Sequence, residues 1–93
     1  MDNSMMLKNL DILIEKIYDF SINCKYITMH IDLLGTKSRN AFIPEDISME
    51  GCRLSFFGSD NYEVEFENVK DITNDHDSFC IKTEYGDVYV DFL

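Results

Sequence analysis

Carboxylates recur at alternate positions in the segment YEVEFE, residues 62–67, where Glu63, Glu65 and Glu67 alternate with apolar residues. In an extended strand, alternate side chains lie on one face, so the three glutamates are expected to form one exposed row. Like charges side by side on a sheet repel one another. Such a row is expected to face water, a metal ion or a basic partner.

A second acidic row lies near the end of the chain, where Asp87 and Asp91 share a strand face with Tyr89. If the two acidic strands lie close together, five carboxylates and one aromatic ring form a negative patch of the interface type. Phe57 is a candidate anchor for that interface. Adjacent strand residues point to opposite faces, so a buried Phe56 directs Phe57 outward. The alternative is that a second layer covers this face and buries both rings.

The segment DITNDHD, residues 71–77, offers several oxygen ligands for a hard cation. Its acidic and hydroxyl residues alternate, as they do in the calcium loop of helix–loop–helix proteins. His76 stands where that loop needs a glycine, and Lys82 stands where it needs a bidentate glutamate. The pattern therefore favours a solvated loop, with a metal-binding module as the alternative.

Motifs for catalysis or nucleotide binding are absent from the sequence. Cys24 and His30 are six positions apart across a predicted helix-to-strand transition, which fixes no nucleophile–base geometry. No GxGxxG, phosphate-binding loop or GxSxG motif occurs. We therefore expect no enzymatic role and no cofactor.

The elements that position these residues can be predicted from hydrophobic periodicity. Residues 4–20 have apolar residues at steps of three and four, which predicts a helix. Residues 25–34 switch to period two and predict a half-buried strand, and the polar segment GTKSRN, residues 35–40, predicts a loop. The other predicted elements are strands at 47–49, 52–57, 62–69, 78–84 and 87–93, turns at 50–51, 58–61 and 85–86, and a loop at 73–77.

This element order predicts a single α+β domain over residues 1–93. An N-terminal helix is followed by five or six short, mostly antiparallel strands, which are expected to form a bent sheet or a small open barrel. A helix followed by five strands resembles the Sm-like barrels in element order. That resemblance implies RNA binding, against which the charge of the chain argues.

The formal net charge of the 93-residue chain is −10. Residues 1–40 hold five basic and five acidic groups, whereas residues 41–93 hold three basic and thirteen acidic groups. An acidic chain is a poor ligand for nucleic-acid backbones and anionic membranes, because both are polyanions. A basic protein surface is the expected partner. Three widely spaced cysteines and no visible signal peptide favour the cytoplasm.

The sequence thus favours a small acidic inhibitor that occludes the basic nucleic-acid-binding surface of a nuclease or another DNA- or RNA-handling protein. The residues expected to contact that partner are Glu63, Glu65, Glu67, Asp87, Asp91, Phe57 and Tyr89. Small inhibitors from phages and mobile elements, including anti-CRISPR proteins, are similar in size and charge, as are immunity proteins of nuclease toxins. Three alternatives stay open: an acidic surface that serves solubility alone, an oligomeric domain that pairs strand edges with a second copy, and a metal-binding or enzymatic module centred on Asp71–Asp77.

Overall fold

Helix α1 begins the part of the chain that the computed structural model describes, residues 4–92. The elements in chain order are α1 (Ser4–Ile22), β1 (Ile27–Leu33), β2 (Thr36–Phe42), β3 (Pro44–Glu50), β4 (Arg53–Gly58), β5 (Tyr62–Phe66), β6 (Val69–Asp75), β7 (Ser78–Thr83) and β8 (Gly86–Asp91). The α+β class is confirmed, but eight strands form rather than five or six. Residues 1–3 and 93, which the predicted domain and last strand include, lie outside the described residues.

The strands form two antiparallel sheets. The five-stranded sheet has the order β2-β1-β8-β7-β6, and the three-stranded sheet has the order β3-β4-β5. Ile43 alone separates β2 from β3, and residues 67 and 68 separate β5 from β6. Two segments of the chain therefore run from one sheet directly into the other. One core cluster contains buried residues of both sheets, so the sheets enclose a common interior.

The core consists of the inward faces of both sheets and one stripe of the helix. On α1, the buried residues Leu10, Leu13, Ile17 and Phe20 recur at steps of three and four. The helix lies against β3 and β6, so it covers both sheets. The Phe20 ring meets Phe92 edge-to-face, with 5.1 Å between ring centroids. The last turns of the helix are thereby packed against Phe92, which follows β8.

Two predicted loops are wrong. Residues 35–40 were expected to form a loop, but Thr36–Phe42 forms strand β2 after a turn at residues 34 and 35. Most of β2 is exposed on both faces, so it carries no apolar alternation. Residues 73–77 were also expected to form a loop, but β6 continues to Asp75. Only His76 and Asp77 remain for the turn, and His76 adopts a positive φ of 56°.

Candidate functional site

The outward face of the three-stranded sheet brings Phe57 together with the glutamate row. Phe57 lies directly opposite Asp46 on β3 and Glu63 on β5. Its neighbour Phe56 points inward and is fully buried, whereas Phe57 is half-buried. Phe57 therefore points away from the core, as predicted, but its ring is half-buried rather than exposed. An aromatic ring with a carboxylate on each side is the centre of this face.

The remaining outward residues extend the same pattern along the strands. Ser55 lies between Ser48 and Glu65, and Arg53 lies opposite Glu50. Glu67 follows β5 and lines a hollow of about 320 Å³ beside Glu50 and Arg53. We call this surface the acidic face and define it by Asp46, Ser48, Glu50, Arg53, Ser55, Phe57, Glu63, Glu65 and Glu67.

Most of the carboxylates of the acidic face have no protein cation. Arg53 is its one basic residue, and its guanidinium donates to Glu50 Oε2 at 3.0 Å. Within residues 4–92, Glu63, Glu65 and Glu67 form no ion pair, and all three are exposed. These three carboxylates can therefore accept hydrogen bonds from an external cation.

The acidic face is concave around Phe57. A depression of about 160 Å³ is lined by Ser48, Glu50, Arg53, Ser55, Phe57 and Glu65. A depression of this kind is large enough for one side chain of a partner. Its carboxylates are open to water, and general-acid catalysis usually requires a carboxyl group in apolar surroundings. The arrangement is therefore suited to binding.

Two acids of the acidic face, Asp46 and Glu50, were not among the predicted site residues. Asp46 and Glu50 lie on β3, where Ile47 is buried and Met49 is half-buried between them. The alternation of these residues was the available signal. It shows that both acids are exposed, but it does not show which strand lies beside Phe57.

Asp87, Tyr89 and Asp91 lie elsewhere, on the outward face of β8 in the centre of the five-stranded sheet. The outward faces of the two sheets point away from their common core, and β5 and β8 are not neighbours. The expectation of one continuous patch that includes Glu63 and Asp87 is therefore wrong. Strand order could not be read from the sequence, so the proximity of the two rows was an assumption.

The outward face of the five-stranded sheet carries charges of both signs. Its central row runs Arg39–His30–Tyr89–Cys80–Thr73 across five strands. A second row runs Lys37–Asp32–Asp87–Lys82–Asp71. We call this surface the mixed-charge face. Basic and acidic residues alternate here more evenly than on the acidic face.

The two predicted aspartates of the mixed-charge face accept hydrogen bonds from neighbouring side chains. Ser78 Oγ donates to Asp91 Oδ1 at 2.7 Å, and His30 Nε2 lies 3.7 Å from Asp91 Oδ2. Tyr89 Oη donates to Asp87 Oδ2 at 3.4 Å. Asp87 and Asp91 thus already have donors within the protein, unlike Glu63, Glu65 and Glu67, which form no ion pair within residues 4–92.

Two groups at the centre of the mixed-charge face have raised pKa values. Burial is the main cause that raises the pKa of the Cys80 thiol, and the Asp87 carboxylate adds to it. The pKa of Tyr89 is raised by repulsion from the negative charge that Cys80 carries when it ionises, and then by the charge of the Asp87 carboxylate. Both groups therefore remain protonated at neutral pH, so Cys80 is a weak nucleophile and the phenol is a hydrogen-bond donor.

The segment 71–77 does not gather its oxygen atoms around one point. Asp71 and Asp75 lie on the outward face of β6, whereas Asp77 binds the Lys16 ammonium of the helix. Within residues 4–92, no group of three or more His, Cys, Asp or Glu side chains is placed to hold a metal ion. Cys24 is exposed beyond the end of α1. His30, on β1, lies beside Asp91 of β8.

Comparison of the chain with protein-family models, curated proteins and solved structures found no match. Among the described residues, no helix combines the length and apolarity needed to cross a membrane.

Proposed function

We propose that this chain is a small acidic protein-binding module that inhibits a nuclease or another DNA- or RNA-handling protein. In this proposal, the acidic face covers the basic surface on which the target holds nucleic acid. The observation that carries the proposal is the strand register that places Phe57 between Asp46 and Glu63, with Glu65 beside them. Asp46 accepts hydrogen bonds from Tyr18 Oη and from the Ile47 amide, whereas Glu63 and Glu65 form no ion pair within residues 4–92. An aromatic residue beside such carboxylates fits a basic protein surface.

The spacing of the carboxylates supports nucleic-acid mimicry. Glu63 and Glu65 are alternate residues of β5, so their Cα atoms are roughly 6–7 Å apart along the strand. A row of separated negative charges can receive a row of arginine or lysine side chains. Arginine binds carboxylates and phosphates through the same two-pronged geometry. The glutamates are thus proposed to take the place of phosphates on the target.

The net charge of −10 supports the approach of the two proteins. A strongly negative protein is attracted over long distances to a positive cleft, and this attraction weakens as salt increases. Phe57 is proposed to add local packing after the encounter, because aromatic residues near the centre of an interface often dominate its affinity. We propose that the protein acts in the cytoplasm, without a cofactor and without binding nucleic acid itself.

The likeness to anti-CRISPR and immunity proteins in size and charge suggests an origin in phages or mobile elements. Asp87, Tyr89 and Asp91 have a lesser part in this proposal than in the sequence-based hypothesis. They lie on the other sheet, so one compact target surface would contact Glu63 and Glu65 without reaching them.

The test is a capture experiment with the wild-type protein and two charge-matched double variants. Glu63→Lys/Glu65→Lys reverses the acidic face. Asp11→Lys/Glu15→Lys reverses two exposed charges of α1 and changes the net charge equally. Each protein is immobilised, exposed to host lysate at low and high salt, and the retained proteins are identified by mass spectrometry. A nuclease or nucleic-acid-binding protein retained at low salt is then purified and assayed for nucleic-acid binding.

We expect the wild type and the helix variant to retain the target and to block its binding to nucleic acid. The acidic-face variant should lose both effects, while circular dichroism shows that its fold is intact. Equal retention by both variants would contradict the role of the acidic face. A retained target whose nucleic-acid binding is unaffected would contradict inhibition by occlusion.

A further inference from the structure

Three cations of the mixed-charge face form no ion pair within residues 4–92, and two of them, Lys37 and Arg39, lie on the same strand. Both lie on the outward face of the edge strand β2, and both are exposed. Neither forms an ion pair within residues 4–92, whereas Lys16 pairs with Asp77 and Arg53 pairs with Glu50. Both cations are therefore free to bind an external anion.

The strand register places hydrogen-bond donors beside these cations. Arg39 lies opposite His30, and His30 lies opposite Tyr89 on the next strand. Directly opposite residues in antiparallel strands have Cβ atoms about 5 Å apart, so these three side chains adjoin one another. They enclose a groove of about 370 Å³, lined by His30, Ile31, Asp32, Lys37, Ser38, Arg39 and Tyr89.

One carboxylate lines the groove, and two others lie on β8, two strands away from the strand that carries Lys37 and Arg39. Asp87 accepts a hydrogen bond from Tyr89, and Asp91 accepts one from Ser78 and lies near His30. Asp32 is the one carboxylate that lines the groove, opposite Lys37. Two cations therefore face one carboxylate, and the guanidinium of Arg39 is the donor with the best geometry for an external anion.

We propose that this groove binds a small ligand that carries a carboxylate or phosphate group next to an aromatic ring. The anionic group is held by Arg39 and Lys37, and the ring lies against Tyr89, whose side chain is 43% exposed. The site is on the other sheet from the acidic face, so it does not depend on the proposed inhibitory function.

The size of the ligand follows from the charge of the whole protein. A long polyanion would extend beyond the groove and meet the acidic residues of the same chain, which would repel it. A small anion makes its contacts within the groove. It also fits the volume, which is within the range of small-molecule sites.

The experiment is a titration of the isotope-labelled full chain, followed by amide and side-chain NMR signals at low ionic strength. The probes are phenyl phosphate, benzoate and inorganic phosphate. The variants are Arg39→Gln and a matched control, Lys82→Gln. Lys82 is an exposed cation of the same face, but it lies between Asp87 and Asp71 and outside the groove.

We expect saturable shifts at residues 30, 39 and 89 with phenyl phosphate, benzoate or both, and weaker binding of inorganic phosphate. Loss of a charge-assisted hydrogen bond should weaken the binding of the ring-bearing probe on the order of tenfold in Arg39→Gln. Binding to Lys82→Gln should be unchanged. Tighter binding of phenyl phosphate indicates a phosphate site, and tighter binding of benzoate indicates a carboxylate site.

Three results would overturn the proposal: no saturable shift with either ring-bearing probe, equal weakening in both variants, or inorganic phosphate binding as tightly as both ring-bearing probes. The spectrum of Arg39→Gln without ligand shows that the variant is folded. Its exposed position on an edge strand makes a loss of folding an unexpected outcome.

Discussion

At the scale of single residues, the backbone conformation at position 86 requires a glycine. This glycine begins β8 with a φ of +143°, a conformation that residues with a side chain rarely adopt. A Cβ atom there would lie 2.1 Å from the carbonyl oxygen of Asp32 on β1. The glycine thus permits β1 and β8 to pair closely, and that pairing connects the first strand to the last.

Gly86→Ala is expected to destabilise the fold by roughly 3 kcal/mol, because it combines backbone strain with a backbone clash. Gly51→Ala is the matched control, since Gly51 also has a positive φ of +60° but has open space around it. Gly51→Ala is expected to lower the free energy of unfolding by about 1–2 kcal/mol. Urea denaturation followed by circular dichroism measures both, and equal costs would contradict the role assigned to the close approach at Gly86.

The adjacent residues Phe56 and Phe57 are expected to have different roles, Phe56 in stability and Phe57 in binding. Phe56→Ala removes a fully buried ring and should cost about 3–5 kcal/mol in free energy of unfolding. Phe57→Ala removes a half-buried ring from the outward face and should cost roughly 1 kcal/mol. If the acidic face binds a partner as proposed, Phe57→Ala should nevertheless weaken capture. A large loss of stability in Phe57→Ala would assign that ring to the core instead.

At the scale of the elements, periodicity predicted the segments that have one buried face. The helix, β1, β4 and the hairpin of β7 and β8 all combine an apolar face with a polar one, and each was predicted within a few residues. Strand β2 was missed because it is exposed on both faces and has no apolar alternation. Its place in the sheet depends on pairing with β1, which no pattern within residues 35–40 encodes.

Helix α1 is linked to the turn between β6 and β7 by an ion pair that responds to pH. The Lys16 ammonium donates to the Asp77 carboxylate, and this hydrogen bond, followed by the Lys16 charge, lowers the pKa of Asp77. Because the folded-state pKa lies below the unfolded one, the stabilisation is complete above the unfolded pKa of Asp77. It is lost as the pH falls through the lowered folded-state pKa.

We expect Lys16→Gln to return the pKa of Asp77 to the ordinary range of an exposed aspartate. An NMR titration of the side-chain carboxyl carbons in both proteins measures this change. Lys8→Gln removes another cation of α1 and is the matched control, in which the pKa of Asp77 should stay lowered. An Asp77 pKa that does not change in Lys16→Gln would show that Lys16 does not bind it in solution.

At the scale of the whole molecule, the two sheet faces have different electrostatic characters. The acidic face collects carboxylates from β3 and β5, while the mixed-charge face sets Lys37, Arg39 and Lys82 among aspartates. The glutamates were predicted correctly as exposed, but the sequence joined them to Asp87 and Asp91, which are half-buried and lie on the other sheet. Which strands are neighbours is decided by contacts across the core, so the site could be predicted only in parts.

The uneven distribution of charge should make the stability of the fold depend on salt. Glu63, Glu65 and Glu67 have no ionic partner within residues 4–92, so they repel one another and the rest of an acidic chain. Salt at about 0.15 M limits such repulsion to about 8 Å. Sodium chloride should therefore raise the Tm of the wild type, by roughly 4–8 °C for each 1 kcal/mol of repulsion that is screened.

Glu63→Lys/Glu65→Lys removes part of that repulsion directly. This variant should melt at a higher temperature than the wild type at low salt, and its Tm should rise less when salt is added. Asp11→Lys/Glu15→Lys changes the net charge equally but lies on α1, where Lys8 and Lys16 accompany the acids Asp11, Glu15 and Asp19. Its low-salt Tm should therefore rise less than that of the acidic-face variant. Equal effects would mean that net charge alone, rather than its concentration on the acidic face, sets the salt dependence.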